Sequence, residues 1–172
     1  KHEKYFDSRP PAAYILHELF NPFIDTKNNF RKSIFIISFL VPILFYFSLR
    51  VKFKEENILL LLLISSIIFL SPYFRTSAYW GLEENYGLVF LLLSFLSLNN
   101  FLSRVYQNNF KIYFQLFLIT FFSSCCVYFD PKLAIIPLIC FFKILTSNHS
   151  KKFKIFVCLL YFIFSLPYFY LI

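Results

Sequence analysis

The sequence predicts an all-α protein, a polytopic bundle of transmembrane helices, and three observations lead to that fold class. Of the 172 residues, 59% are hydrophobic and only 15% are charged, and the mean hydropathy is +0.65. Soluble domains carry about 25% charged residues, so a soluble fold could not hide this much apolar surface. The apolar residues also form long runs, without the alternation that is typical of a membrane β-barrel.

Six apolar runs, each bounded by charged residues, Asn, Pro or Gly, are predicted to be spanning helices. A spanning helix needs about 20 apolar residues, so the third and fifth runs are short and must recruit flanking residues. The runs are Ser33 to Leu49, Ile58 to Phe74, Tyr86 to Leu98, Ile112 to Phe129, Leu133 to Leu145 and Phe153 to Ile172.

The N-terminal segment differs from the rest of the chain. The stretch from Pro11 to Ile24 is weakly apolar, is too short to span and carries one His and one Glu. An interfacial helix fits it better than a crossing helix, although a crossing stays open as the alternative. We therefore divide the chain into an extracytoplasmic segment, residues 1–32, and a transmembrane domain, residues 33–172. Because the chain opens without a start signal and ends within an apolar run, we expect truncation at both ends.

The basic residues indicate the orientation. Loops on one side of the predicted bundle hold nine Lys and Arg residues, whereas the opposite loops hold only Arg75 and Lys132. By the positive-inside rule the Arg75 loop is extracytoplasmic, in an inner (plasma) membrane. Since the basic residues lie in short loops, the net charge of +8 is a topology signal and we predict no nucleic-acid partner. All four Cys lie within apolar runs, which is typical of buried thiols and not of disulfides or metal sites.

Polar residues concentrate in the predicted extracytoplasmic loop from Ser71 to Tyr86. This loop combines an Arg, paired Glu, an Asn and several aromatic residues. Transporters and proton pumps place ionisable groups near the bilayer midplane, where this chain has none, so we expect a site at the membrane surface. The alternative interpretation is an interfacial aromatic belt, with Arg75 as a headgroup-binding flank and the paired Glu at a solvated helix N-terminus.

Two stretches resemble the GT-C superfamily of membrane glycosyltransferases, in particular the dolichyl-phosphate-mannose protein mannosyltransferases and the bacterial RgtA/B/C/D-like enzymes. The stretch from Asp7 to Tyr14, DSRPPAAY, resembles the family's basic-Pro-Pro segment at the end of the first extracytoplasmic loop. The stretch from Ser71 to Tyr86 resembles the family's Ser-Pro at a helix end, followed by a polar loop with an Arg and a further span. The resemblance covers residues 1–100 in order and spacing.

The resemblance implies an enzyme that moves a sugar from a polyprenyl-phosphate donor to an extracytoplasmic acceptor. The Arg would stabilise the phosphate leaving group, aromatic rings would stack on the sugar, and carboxylate or amide oxygens would bind hydroxyls or a divalent cation. The family's acidic base would lie upstream of Lys1, so no catalytic residue is assigned and this stretch alone is expected to be inactive. The predicted substrate-binding residues are Asp7, Arg9, Arg75, Tyr79, Trp80, Glu83, Glu84 and Asn85.

The rival hypothesis is a non-enzymatic multispan protein. It would be a lipid or polysaccharide exporter, or an assembly subunit in which the Arg75 loop contacts a partner. Membrane lipid is a partner under either hypothesis. An acidic pair just beyond a preceding apolar helix would favour the enzyme.

Overall fold

The computed structural model describes residues 12–20, 26–80, 82–103, 108–147 and 149–171, and every regular element in these ranges is helical. The predicted all-α class is therefore confirmed. Two short 3-10 turns, Ile67–Leu70 and Pro131–Ala134, interrupt the α-helices. The α-helices are α1 (Ala12–Phe20), α2 (Lys27–Ser38), α3 (Leu40–Lys52), α4 (Ile58–Ser66), α5 (Pro72–Trp80), α6 (Glu84–Ser103), α7 (Asn109–Phe129), α8 (Ile135–Leu145) and α9 (Lys151–Leu171).

Among the described residues, three segments are long and apolar enough to cross a membrane: Asn28–Lys52, Glu84–Ser103 and Asn109–Phe129. A fourth crossing results if Ile58–Leu70 and Pro72–Trp80, which meet at a bend of 65°, form one broken span. The chain is thus compatible with an integral membrane protein, and the count of six crossings stays a prediction. α8, with 11 residues, is about 16 Å long, roughly half of the hydrocarbon core.

α2 begins before the predicted domain boundary. It starts at Lys27, where the Thr26 side chain accepts a hydrogen bond from the backbone N–H of Asn29 at 3.2 Å. A Thr at this position caps the exposed amide groups of a helix N-terminus. The predicted division between residues 1–32 and 33–172 therefore falls inside α2, because a capping side chain, and not the first apolar residue, sets the start of the helix.

The core of the described structure lies between α6 and α7, which run antiparallel. The Gln115 side chain donates to the Ser97 carbonyl at 2.8 Å, and Gly87, nearer the other end of α6, faces Cys126. Leu116 and Ile119, which lie between these two contacts on α7, are fully buried. A small residue at the crossing lets the two backbones approach closely, and side-chain amides bond across the helices where water is absent.

α6 runs parallel to the continuous pair α2–α3. The Asn85 amide nitrogen donates to the Ser38 hydroxyl at 2.8 Å, and that of Asn99 donates to the Ser48 hydroxyl at 3.3 Å. The two bonds therefore place the start of α6 beside the end of α2, and the end of α6 beside α3. As a result, the first turns of α2 extend past the level at which α6 begins.

The segment predicted as a loop contains a helix, α5. Its first residue is Pro72, whose missing N–H costs nothing in a first turn, and the Ser71 hydroxyl accepts from the Phe74 N–H at 3.3 Å. Phe74 and Ser77 are buried, whereas the opposite side of the helix is exposed. This corrects the prediction of an irregular loop: local capping makes a helix of a segment whose polar residues are typical of loops.

α1 is a helix of nine residues, about 14 Å long, which is too short to span a bilayer alone. It packs through His17, whose ring centroid lies 4.5 Å from that of Phe30 and 5.3 Å from that of Tyr86. Burial lowers the pKa of the His17 imidazole. The prediction of a non-spanning N-terminal helix fits this length, while its depth in the bilayer stays a prediction.

Candidate functional site

One end of the described structure carries most of the predicted site residues. Here α5 runs antiparallel to α2, with Trp80 against Arg31 and with Phe74 and Ser38 lining one groove. The first turn of α6 and the last turn of α7 contact α5 at this same end of the structure. We call the surface formed by these four segments the α5 face.

An apolar groove of about 410 Å³ opens on the α5 face between α5 and α2. Arg75 is the charged residue of its lining, and its side chain is exposed at the rim. Among the described residues, no side chain forms a hydrogen bond or an ion pair with the Arg75 guanidinium. We call this cavity the Arg75 groove. It is lined by Phe35, Ser38, Phe39, Phe69, Phe74, Arg75 and Ala78.

Asn85 lies behind the Arg75 groove and not on its surface. Its side chain is 1% exposed, and its amide nitrogen donates to the Ser38 hydroxyl at 2.8 Å and to the Phe74 carbonyl at 3.4 Å. These bonds tie α6 to both walls of the groove. Asn85 is thus part of the packing between three helices, and its role in substrate binding stays a prediction. The same bonds also place Arg75, next to Phe74, at the level where α6 begins.

Asp130, which the sequence interpretation missed, anchors α5 to the end of α7. One carboxylate oxygen accepts from the Tyr73 hydroxyl at 2.9 Å, and the other accepts from the Lys132 N–H at 3.1 Å. The Asp130 side chain is 5% exposed, and the Lys132 ammonium lies 5.5 Å from the Tyr73 ring centroid. The signal was present: Asp130 directly follows an apolar run, in a loop predicted to lie on the same side as Arg75.

Glu83 directly precedes α6, Glu84 is its first residue, and both are half-buried. Glu84 accepts a hydrogen bond from the Ser77 hydroxyl at 3.4 Å. Within the described ranges, no three His, Cys, Asp or Glu side chains are arranged to hold a metal ion. Binding of a divalent cation therefore stays a prediction, and the described residues do not provide a set of ligands for it.

The aromatic residues of this region divide into two groups. Tyr79 and Trp80 are 66% and 53% exposed at the end of α5, with their ring centroids 5.2 Å apart. The Arg31 guanidinium lies 5.0 Å from the Trp80 ring centroid, within the range of a cation–π contact. Tyr86, in contrast, is buried and stacks on Phe129 at 5.5 Å. The α5 face thus offers two exposed rings, and Tyr86 belongs to the core.

Two predicted site residues, Asp7 and Arg9, lie outside the described residues, so their approach to the α5 face stays a prediction. No protein-family model, curated protein or solved structure matches the chain. What the fold and the site define is a class: an all-α chain with three or four helical segments of membrane-spanning length and apolarity, and with an apolar groove that ends at an Arg.

Proposed function

We propose that this chain is part of a membrane glycosyltransferase that takes a sugar from a polyprenyl-phosphate donor and transfers it to an extracytoplasmic acceptor. The observation that carries the proposal is Arg75 at the rim of an apolar groove. A polyprenyl phosphate joins a long hydrocarbon tail to a phosphate, so it needs an apolar surface that ends at a cation. A guanidinium can hold two phosphate oxygens at once, which favours Arg for this task.

The level of Arg75 along the helices supports a phosphate ligand. Its neighbour Phe74 accepts a hydrogen bond from Asn85 in the first turn of α6. Spanning helices end near the lipid headgroups, so Arg75 at the start of α6 would lie at phosphate depth. The apolar part of the groove, with Phe39 and Phe69 among its lining residues, offers the tail a hydrocarbon surface.

The exposed rings lie at a suitable distance for the sugar. Trp80 follows Arg75 by five residues on α5, which corresponds to about 7.5 Å along the helix axis. A sugar on a phosphate held by Arg75 would reach toward Trp80 and Tyr79, whose faces can stack on the C–H groups of a sugar ring. Arg31, already in contact with Trp80, would orient that ring.

In the proposed reaction, an acceptor oxygen attacks the anomeric carbon of the sugar. The bond from this carbon to the phosphate oxygen breaks, and the phosphate leaves with the electron pair, stabilised by Arg75. A carboxylate base takes the acceptor's proton, and the resemblance to the GT-C superfamily implies a base upstream of Lys1. Asp130 is not proposed for this role, because both of its oxygens already accept hydrogen bonds.

The proposal includes six crossings and an extracytoplasmic α5 face, as the distribution of Lys and Arg predicts. Of the described Asp, Glu, Lys, Arg and His side chains, the buried ones are His17 and Asp130, and both contact residues at the α5 face. A transporter places such groups near the middle of its helices, so this arrangement favours a surface enzyme over an exporter.

The proposal is tested by replacing Arg75 in the membrane-embedded protein and measuring sugar transfer from a polyprenyl-phosphate donor. We expect Arg75→Ala to slow transfer by about 10²- to 10³-fold, or roughly 2.7–4 kcal/mol, with normal abundance in the membrane. Arg75→Lys should recover only part of the rate, since an ammonium lacks the planar fork of a guanidinium. The matched control is Lys32→Ala, which removes an exposed cation that does not line the groove.

Two results would contradict the proposal. Wild-type transfer in both Arg75 variants would show that this residue is a headgroup anchor, since either cation can reach lipid phosphates. Purified protein that moves lipid across a bilayer, yet never transfers or hydrolyses a lipid-phosphate sugar, would favour the exporter.

A further inference from the structure

A second apolar groove, which we call the α8 groove, opens between α7, α8 and α9. Its volume is about 440 Å³, within the range of about 300–1,000 Å³ that ligand pockets occupy. None of its lining residues is shared with the Arg75 groove. It is a separate cavity, so the proposed donor site does not account for it.

The walls of the α8 groove are mostly apolar, and the hydroxyl groups of its two tyrosines are bonded within the protein. The Tyr128 hydroxyl donates to the Phe164 carbonyl at 2.6 Å, and the Tyr161 hydroxyl shares a hydrogen bond with Ser123 at 2.9 Å. The two tyrosines therefore contribute mainly their aromatic rings to the groove wall. A groove with few unmet polar groups suits a hydrocarbon chain better than a polar ligand.

The groove lies near the α5 face and opens sideways. On α7 its lining falls in the last two turns, and on the following segment it begins at Ala134, directly after the turn that holds Asp130. Leu138 and Cys158, both lining residues, are exposed at its mouth. With the α5 face at headgroup level, as in the topology proposed above, this opening would face the lipid chains just below the headgroups, and a chain could enter laterally.

A cation lies beside the headgroup end of the α8 groove. Lys132 is exposed, two residues before Ala134, and its ammonium faces the Tyr73 ring. The acidic groups nearby are Asp130, whose two oxygens accept hydrogen bonds from Tyr73 and Lys132, and Glu84, which accepts one from a Ser hydroxyl. Lys132 thus supplies a positive charge at the depth of a lipid phosphate.

We propose that the α8 groove binds one acyl chain of a bilayer phospholipid, and that Lys132 holds the phosphate of the same lipid. The apolar wall, the lateral opening and the cation at one end match the three parts of such a molecule. The proposal does not depend on the proposed sugar transfer. A bound phospholipid here would fill the space that the short helix α8 leaves beside α7 and α9.

The experiment uses the full chain in nanodiscs that contain a phospholipid with a diazirine on one acyl chain. After photolysis, mass spectrometry compares labelling of Leu138 and Cys158, in the groove, with labelling of Leu62 and Leu63, which are exposed on α4. We expect labelling in the groove to exceed that on α4 several-fold. Lys132→Gln should reduce this excess, because the lipid loses its phosphate contact.

A matched pair of variants tests the cavity itself. Ser165→Trp fills the groove and should reduce labelling there to the level of α4, whereas Leu166→Trp, at an exposed neighbour outside the lining, should leave it unchanged. If Ser165→Trp does not fold, as judged by size exclusion and circular dichroism, Ala134→Leu fills the groove from the opposite wall.

Three outcomes would overturn the proposal. Equal labelling of groove and α4 would mean that lipid is only a solvent here, and labelling that survives both filling variants would mean that the chain lies elsewhere. Preferential labelling by a diazirine-bearing polyprenyl phosphate, at equal concentration with the phospholipid, would replace the phospholipid by an isoprenoid as the occupant.

Discussion

The α6–α7 pair and the α5 face treat polar side chains in opposite ways. Within the pair, Gln115 bonds across to the Ser97 carbonyl, and Thr120 bonds back to its own helix at 2.9 Å. On the α5 face, Arg75 and Trp80 are exposed, and Arg75 lines a groove instead of pairing with a described side chain. A polar residue in this apolar chain is therefore available to a ligand only where helix packing does not already occupy its hydrogen-bonding groups.

The largest effect should come from breaking the α6–α7 pair at Gly87. A Cβ on Gly87 would lie 3.0 Å from Leu133 Cδ1, 3.2 Å from Asp130 Cβ and 3.4 Å from the Cys126 carbonyl. We expect Gly87→Leu to lower the free energy of unfolding by about 1–3 kcal/mol, because a well-packed contact has no room for added carbons. This free energy is measured by unfolding the protein in detergent and monitoring its helix content by circular dichroism. Ser103→Leu, at an exposed position of the same helix, should change the free energy of unfolding by no more than about 0.5 kcal/mol.

A smaller effect should follow from releasing α5 at Tyr73. Tyr73→Phe removes the hydroxyl that donates to Asp130, and because Tyr73 is 42% exposed we expect the loss of one ordinary hydrogen bond, about 0.5–1.5 kcal/mol. Tyr79→Phe, which alters a 66% exposed side chain, serves as the control. A double-mutant cycle with Asp130→Ala isolates the pair. Additive losses would show that the bond does not hold α5 in place.

The smallest effect concerns pH and the packing of α1. Burial lowers the pKa of the His17 imidazole from its ordinary value of about 6.5. When the pH falls below about 6.5, the imidazole therefore binds a proton more readily when α1 is detached than when α1 is packed. The packing of α1 should therefore be complete above that pH and weaken as the pH falls through it. Hydrogen exchange of the α1 amides measures the change. His17→Phe should abolish it, whereas His149→Phe should not; pH-independent exchange in the wild type would contradict the prediction.

Composition and run length were enough to predict the all-helical class and the position of most helices, because both follow from local hydrophobicity. The start of α2 and the existence of α5 were not predicted, since each depends on a single capping side chain, Thr26 or Ser71. Such caps outweigh the polar composition of the segments that follow them.

Among the predicted site residues, exposure could be foreseen only where it follows from position in the chain, and their binding roles stay predictions. Arg75, Tyr79 and Trp80 are exposed, as a binding role requires. The burial of Asn85 and the contacts of Asp130 were not predicted for the same reason: their surroundings come from helices distant in sequence. The Asp130–Tyr73 bond joins residues 57 positions apart, and no local pattern reports it.

The bend before α5 has a mechanical consequence. Ser71, the residue between the 3-10 turn and α5, has an extended backbone, so a change in its dihedral angles would swing α5 as a lever. A rotation of about 10° would move Trp80, about 14 Å from the pivot, by roughly 2.4 Å, but Arg75, about 6 Å away, by only about 1 Å. A group bound at Arg75 would therefore keep nearly the same position, while Trp80 at the end of α5 moves more than twice as far.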